Sequence, residues 1–154
     1  MNDFALESIK TPTLIEGKNF VDDRGTLKFI NGLGLGEFKR FYIIQNHFSG
    51  FIRAWHGHLK EAKVFFPITG SFLIGAVKLS ANADVLADQK PERFVLSDSS
   101  PHGLCIPAGY SNGSMSLTPE AKILVLSSTT LDESQGDDFR HPFDQWDIWN
   151  IEAR

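Results

Sequence analysis

Short apolar runs of β-prone residues recur along the chain roughly every ten positions, at 26–30, 38–45, 51–55, 63–68, 71–78, 93–96, 104–106 and 122–127. Between them lie Asp22-Asp23-Arg24-Gly25, Asn31-Gly32, Ser49-Gly50, Thr69-Gly70, Pro107-Ala108-Gly109 and Asn112-Gly113. These supply the positive φ angles, or the fixed φ of proline, that a reversing chain needs. Regular spacing of strands and turns predicts an all-β sandwich or barrel. The polar stretch 80–92 reads as a long hairpin loop, because apolar strands resume on either side of it. From Leu131 onward, acidic residues mix with Phe139, Phe143, Trp146 and Trp149. That mixture is expected of a C-terminal tail, 131–154, that packs on the barrel within a single domain, 1–154.

Charge narrows the partners. Fifteen basic side chains against 19 acidic ones leave a formal charge of -4 and a pI of about 5.7. No chain-wide field then holds nucleic acid or an anionic membrane, and an anionic ligand must be met by local arginines and lysines. The lone cysteine, Cys105, makes neither an internal disulfide nor a thiolate zinc site, which points to a reducing compartment, the cytoplasm by default. No apolar run approaches the roughly 20 residues a membrane span needs, and the opening MNDFALESIK lacks the order of a signal peptide.

The chemistry concentrates in Arg53-Ala54-Trp55-His56-Gly57-His58, followed by Lys63, Pro67 and Gly70. On a strand, residues two apart share a face, so His56 and His58 converge on one side while Trp55 and Gly57 take the other. This His-x-His, with the turn Gly70 and the later Pro107-x-Gly109, resembles the two signature stretches of the cupin superfamily. The resemblance implies a double-sheet jelly roll. In metal-binding cupins a carboxylate follows the second histidine by five positions and another histidine follows the Pro-x-Gly by three; here Lys63 and Asn112 stand in those places. An ammonium beside a divalent ion is repulsive and a carboxamide is a poor substitute for imidazole, so the expectation is a cupin without metal or organic cofactor. Glu61 is the nearby carboxylate that would have to replace the missing one.

A narrower likeness covers most of the chain. Phe20-x-Asp22-x-Arg24-Gly25, then Gln45-Asn46-His47, then Arg53-x-x-His56, and Ile106-Pro107-Ala108-Gly109-Tyr110-Ser111-Asn112-Gly113, resemble in order the elements of the dTDP-4-dehydrorhamnose 3,5-epimerase family. The ending from Phe143-Asp144 to Trp149 is similar to that family's aromatic, aspartate-bearing tail. The related sugar 3,4-ketoisomerases pair their arginine with His-x-His, and the spacing of Arg53, His56, His58 and position 63 is similar to theirs.

The resemblance implies proton removal alpha to the ketone of a nucleotide-linked 4-keto-6-deoxy hexose, for which a near-neutral base is needed. It assigns His56 as the base, with His58 beside it. Lys63, with Asn112, is suited to stabilising the enolate oxygen. Arg24 and Arg53 suit the diphosphate, since a guanidinium bonds phosphate oxygens bidentately. Gln45 and Asn46 suit a base or sugar edge, and Tyr110 the substrate wall. The expected partners are a nucleotide sugar, dTDP-linked, and a second copy of the chain in a homodimer.

One departure bears on the reaction. The epimerases reprotonate the opposite sugar face from a tyrosine on a late strand, and 122–128 here reads Lys-Ile-Leu-Val-Leu-Ser-Ser. Tyr42 or Tyr110 would have to donate from elsewhere, whereas a 3,4-ketoisomerase works from one face and can use His56 and His58 together. Plainer readings stand beside these. In these, Arg24 simply closes a hairpin with Asp22 or Asp23, Lys63 snorkels to solvent, and Asn112 is a turn residue before Gly113. A metal-dependent dioxygenase and a non-catalytic sugar-binding jelly roll are the rival functions.

Overall fold

The computed structural model describes residues 4–154. Its strands are β1 (Thr13–Ile15), β2 (Lys18–Asp22), β3 (Gly25–Phe29), β4 (Arg40–Gln45), β5 (Ile52–His58) and β6 (Lys63–Thr69). They continue as β7 (Ser71–Lys78), β8 (Glu92–Ser97), β9 (Gly103–Ile106), β10 (Tyr110–Ser116), β11 (Lys122–Ser127) and β12 (Phe139–Arg140), with one short helix, α1 (Leu131–Gln135). One sheet runs β1-β9-β6-β11-β4 and the other β12-β5-β10-β7-β8, all neighbours antiparallel. The hairpin β2-β3 stands apart from both. The two sheets pack as a jelly-roll sandwich and do not close into a barrel.

Phe65, Phe72, Ile74, Leu104, Ile123 and Val125 fill the space between the sheets. A second apolar layer lies on the outer face of the β5-containing sheet, where Trp55, Leu73, Val77 and Met115 pack under Trp146 and Trp149 of the tail. Both indole N–H groups of Trp55 and Trp149 donate to the same carbonyl, that of Phe143, at 3.2 and 3.1 Å. The tail is therefore tied down by hydrogen bonds as well as by its aromatic area.

The sequence pattern misses β10, the strand between β5 and β7. Its Tyr110-Ser111-Asn112-Gly113-Ser114 looks like turn chemistry, yet Asn112 pairs with His56 on one side and Ala76 on the other. Asn112 and Ser114 are tolerated because the face of the strand they share meets a polar cavity. Gly113 has a steric reason. It sits beside Gly75 in the register, and a Cβ there would come within 2.6 Å of the Ala54 side chain and 2.9 Å of Trp149. At Gly75 a Cβ would lie 2.6 Å from Trp55. The paired glycines form the seat in which the indoles lie.

The same place holds a register shift. Between Asn112 and Ser114 the partner strand advances from His56 to Arg53, a β-bulge. Arg53 and His56 are an odd number of residues apart, so a regular strand would send them to opposite faces. The bulge restores them to one.

Gly113→Ala should destabilise the fold by about 1–3 kcal/mol, the usual cost of forcing atoms into a packed interface. Trp55→Ala should cost about 3–5 kcal/mol. Urea unfolding followed by tryptophan fluorescence measures the first, and circular dichroism the second.

Candidate active site

A cavity of about 440 Å³ opens at one end of the sandwich. His56 and His58 of β5, with Asn112 and Ser114 of β10, form one wall; Arg40, Tyr42 and Ile44 of β4, with Lys63 and Phe65 of β6, form the facing wall. Gln45 and Arg53 lie at its exposed rim, together with Asp138 and Arg140 from the tail. Strand alternation accounts for the two imidazoles. The cross-strand register sets Arg140, His56 and Asn112 in one row across the sheet.

Glu61 lies behind the cavity, its side chain 0 % exposed. Its Oε1 accepts from Arg40 at 2.9 Å, from Thr129 at 3.0 Å and from the Ser127 hydroxyl in a very short contact. Its Oε2 faces His58 Nδ1 at 3.2 Å and Lys63 Nζ at 3.6 Å. Burial by itself would raise the Glu61 pKa, but the Lys63 ammonium, the Ser127 and Thr129 hydroxyls and His58 outweigh it, so the carboxyl sits below its ordinary range and is ionised. Lys63 is buried in the interior and does not snorkel.

The tautomer of His58 follows from its partners. Nδ1 lies 2.6 Å from the carbonyl of Asp137, which can only accept, so Nδ1 carries the hydrogen. That hydrogen is directed at the carbonyl, which explains why Glu61 Oε2 at 3.2 Å gains no hydrogen bond from it. Nε2 is left with its lone pair, buried and without a hydrogen-bond partner among the described residues. Burial, then the Lys63 charge, pushes the His58 pKa down. His56 is pushed down to about 4 by burial first and by the charges of Arg140 and Lys63. Both imidazoles are neutral at pH 7.

Six of the nine residues singled out from the sequence line this cavity: His56, His58, Lys63, Gln45, Arg53 and Asn112. Asn112 is a strand residue whose Nδ2 donates to the carbonyl of His56 at 3.2 Å. The other three stand elsewhere. Asn46 does not line the cavity; its Oδ1 accepts from Arg53 Nε at 2.7 Å, and it braces that arginine. Tyr110 is a member of the apolar core between the sheets. Arg24 lies at the tip of the β2-β3 hairpin, outside the cavity of its own chain, with its side chain 83 % exposed and bonded to Asp22. Its short-range partner and the hairpin geometry match the plainer reading. Sequence reasoning missed Arg40, Asp138 and Arg140, because no local motif marks a residue that reaches a site only through the packing of a distant segment. Among the described residues no group of three or more His, Cys, Asp or Glu is arranged to hold a metal ion.

Two antiparallel sheets in this order, with a cavity at one end lined by His-x-His, define a cupin-type jelly roll. Its fold is shared with sugar 3,4-ketoisomerases and 3,5-epimerases. The chain belongs to the family described as FdtA: WxcM-like, C-terminal, which matches residues 10–144. No curated protein matches it. Among solved structures, the sugar 3,4-ketoisomerase QdtA of Thermoanaerobacterium thermosaccharolyticum in complex with TDP is 26% identical, with a TM-score of 0.65 over 85% of this chain and 88% of that one. NovW, a 4-keto-6-deoxy sugar epimerase of Streptomyces spheroides, is 21% identical with a TM-score of 0.72, covering 89% and 72%. The dTDP-4-dehydrorhamnose 3,5-epimerase of Bacillus anthracis, with TDP and PPi bound, is 19% identical with a TM-score of 0.70, covering 89% and 85%. The last two likenesses are of fold.

The depressed His56 predicts acid sensitivity. With an ordinary pKa of 6.5 when unfolded and about 4 when folded, this residue makes the unfolded chain bind more protons between those values. Its contribution is level above pH 6.5 and falls on acidification, by about 2 kcal/mol at pH 5. His56→Asn should flatten that part of the slope in urea unfolding measured from pH 7 to pH 4.5.

Proposed function

We propose that this protein is an isomerase of a nucleotide-linked 4-keto-6-deoxy hexose, and that the reaction is a 3,4-ketoisomerisation. The observation that carries the reading is the pair of neutral imidazoles on one wall of a cavity, faced by an ammonium on the other. The likeness to a 3,4-ketoisomerase bound to TDP supports the substrate class. A base on one side of the sugar takes the proton from C3, next to the C4 ketone. The resulting enediolate is protonated at C4 from the same side, while the hydroxyl proton of O3 passes to O4. No atom enters or leaves. Lys63 stabilises the developing enolate oxygen. The resemblance in sequence assigned the base to His56; we assign it instead to His58, whose Nε2 lone pair is buried in the cavity wall and unpartnered among the described residues, and His56 relays the proton. Arg53, braced by Asn46, and Arg140 at the rim take the diphosphate; Gln45 and Asn112 hold polar edges of the substrate.

Tyr42 favours a second reading, 3,5-epimerisation. It lines the wall opposite the histidines, where a donor to the other sugar face would stand. Incubation of TDP-4-keto-6-deoxyglucose in deuterated water separates the two. Ketoisomerisation gives a 3-keto product with at most one carbon-bound deuterium, at C4, whereas epimerisation labels C3 and C5 of a 4-keto product. Absence of both overturns the catalytic reading. His58→Asn should lose on the order of 10²–10⁴ in kcat. The acid limb of the wild-type kcat/KM profile should fall below pH 6.5, the ordinary histidine value, because the His58 pKa is lowered.

The proposal includes a homodimer. Edge strand β4 presents Phe41, 67 % exposed, and Ile43, and the β2-β3 hairpin presents Phe20, Val21 and Leu27. Apolar side chains along a free edge and a projecting hairpin suit a second copy. Sedimentation equilibrium should give twice the chain mass, and Phe41→Lys should shift it toward one. Among the described residues no helix is long and apolar enough to cross a membrane. The single cysteine, buried with its pKa pushed up to about 12, suits the reducing cytoplasm in which we place the reaction.

A further inference from the structure

We infer that Asp137 is a positioning residue that sets the tautomer and aim of His58 from outside the cavity. The inference deepens the reading of His58 as the base and rests on it. Asp137 follows α1 and is 2 % exposed, although it lies 79 positions along the chain from His58. Its carboxylate is directed into the turn that leaves β5. Oδ1 accepts from the amide of Leu59 at 2.7 Å, and Oδ2 accepts from the amides of Lys60 and Glu61, each at 2.9 Å. These three consecutive donors have no strand partner, since the turn lies between β5 and β6. The same residue's carbonyl accepts the Nδ1 hydrogen of His58 at 2.6 Å.

One residue therefore does two things to one loop. The carboxylate fixes the backbone just after the histidine, and the carbonyl holds the imidazole hydrogen on the nitrogen remote from the substrate. A carboxylate suits three N–H groups because its bonds are charge-assisted and it carries no donor of its own. An amide cannot do the same. In Asp137→Asn one acceptor oxygen becomes an NH₂ group facing backbone donors, so the loop must move. Glu61 moves with it, since its own amide is one of the three. The tail thus participates in the chemistry of the site beyond covering the outer face of the sheet.

The tautomer is read in ¹⁵N-labelled full-length protein from the imidazole nitrogens of His58, assigned by their loss in His58→Asn. The wild type should show hydrogen on Nδ1 and a lone pair on Nε2; hydrogen on Nε2 overturns the inference. Hydrogen exchange in the wild type supplies a measurement that needs no variant. The amides of Leu59, Lys60 and Glu61 should be protected to the same degree as neighbouring strand amides, and rapid exchange there counts against the anchor. Asp137→Asn should populate both His58 tautomers and lower kcat by about 10²-fold with little change in KM, as a displaced catalytic group does. A folded Asp137→Asn protein with wild-type tautomer and kcat overturns the inference. If the wild type moves no hydrogen on the keto sugar, the isomerase reading fails, and the tautomer and exchange data still decide the anchor.

Discussion

A carboxylate without exposed surface must be matched by cations and hydroxyls, and Glu61 is matched on both oxygens from both sheets. Arg40 of β4 and Ser127 of β11 hold one oxygen, while Lys63 of β6 and the imidazole of β5 flank the other. Removing either partner of such a buried set is far more costly than the set is stabilising, because the remaining charge has no water. Glu61, ionised behind the cavity, is the counter-charge to the Lys63 ammonium in its wall. This network backs the polar cavity, while the apolar core fills the space between the sheets.

The tail links that network to the rest of the molecule. α1 begins with a capping box, Thr130 with Glu133, and delivers Asp137 to the loop behind the histidines. β12 then adds an edge beside β5, placing Arg140 across from His56. Finally Trp146 and Trp149 settle over Trp55, on the glycine seat formed by Gly75 and Gly113. The apolar contacts of the outer face therefore hold in place the polar groups of the inner one. Every residue of this arrangement is remote in sequence from the strand it serves.

Much of the site was legible because strand alternation is a local rule. It set His56 and His58 together and turned Trp55 and Gly57 away, and the structure has this arrangement. Lys63 and Asn112 were found through a resemblance in spacing, and both line the cavity. The same rule failed where the strand is irregular. Arg53 reaches the face of His56 because of a bulge, and a bulge is decided by the partner strand. Asn112-Gly113 has turn chemistry and lies in mid-strand, since the Ala54 methyl and the Trp149 indole, from two other segments, occupy the space a side chain at Gly113 would need. Tyr110 and Arg24 kept their motif neighbours but not the cavity, one drawn into the core and the other held by Asp22 on a projecting hairpin.

The sequence by itself determined the all-β class and the paired imidazoles, because these follow from turn chemistry and strand period, and its resemblance in spacing to metal-binding cupins singled out Lys63 where they carry a carboxylate. Only the tertiary structure decided which nitrogen of His58 is basic, which arginines stand at the rim, and that Asp137 and Glu61 hold the site from behind. Hydrogen-bond direction and buried charge depend on groups brought together from opposite ends of the chain. No local pattern encodes where a distant carbonyl will come to rest.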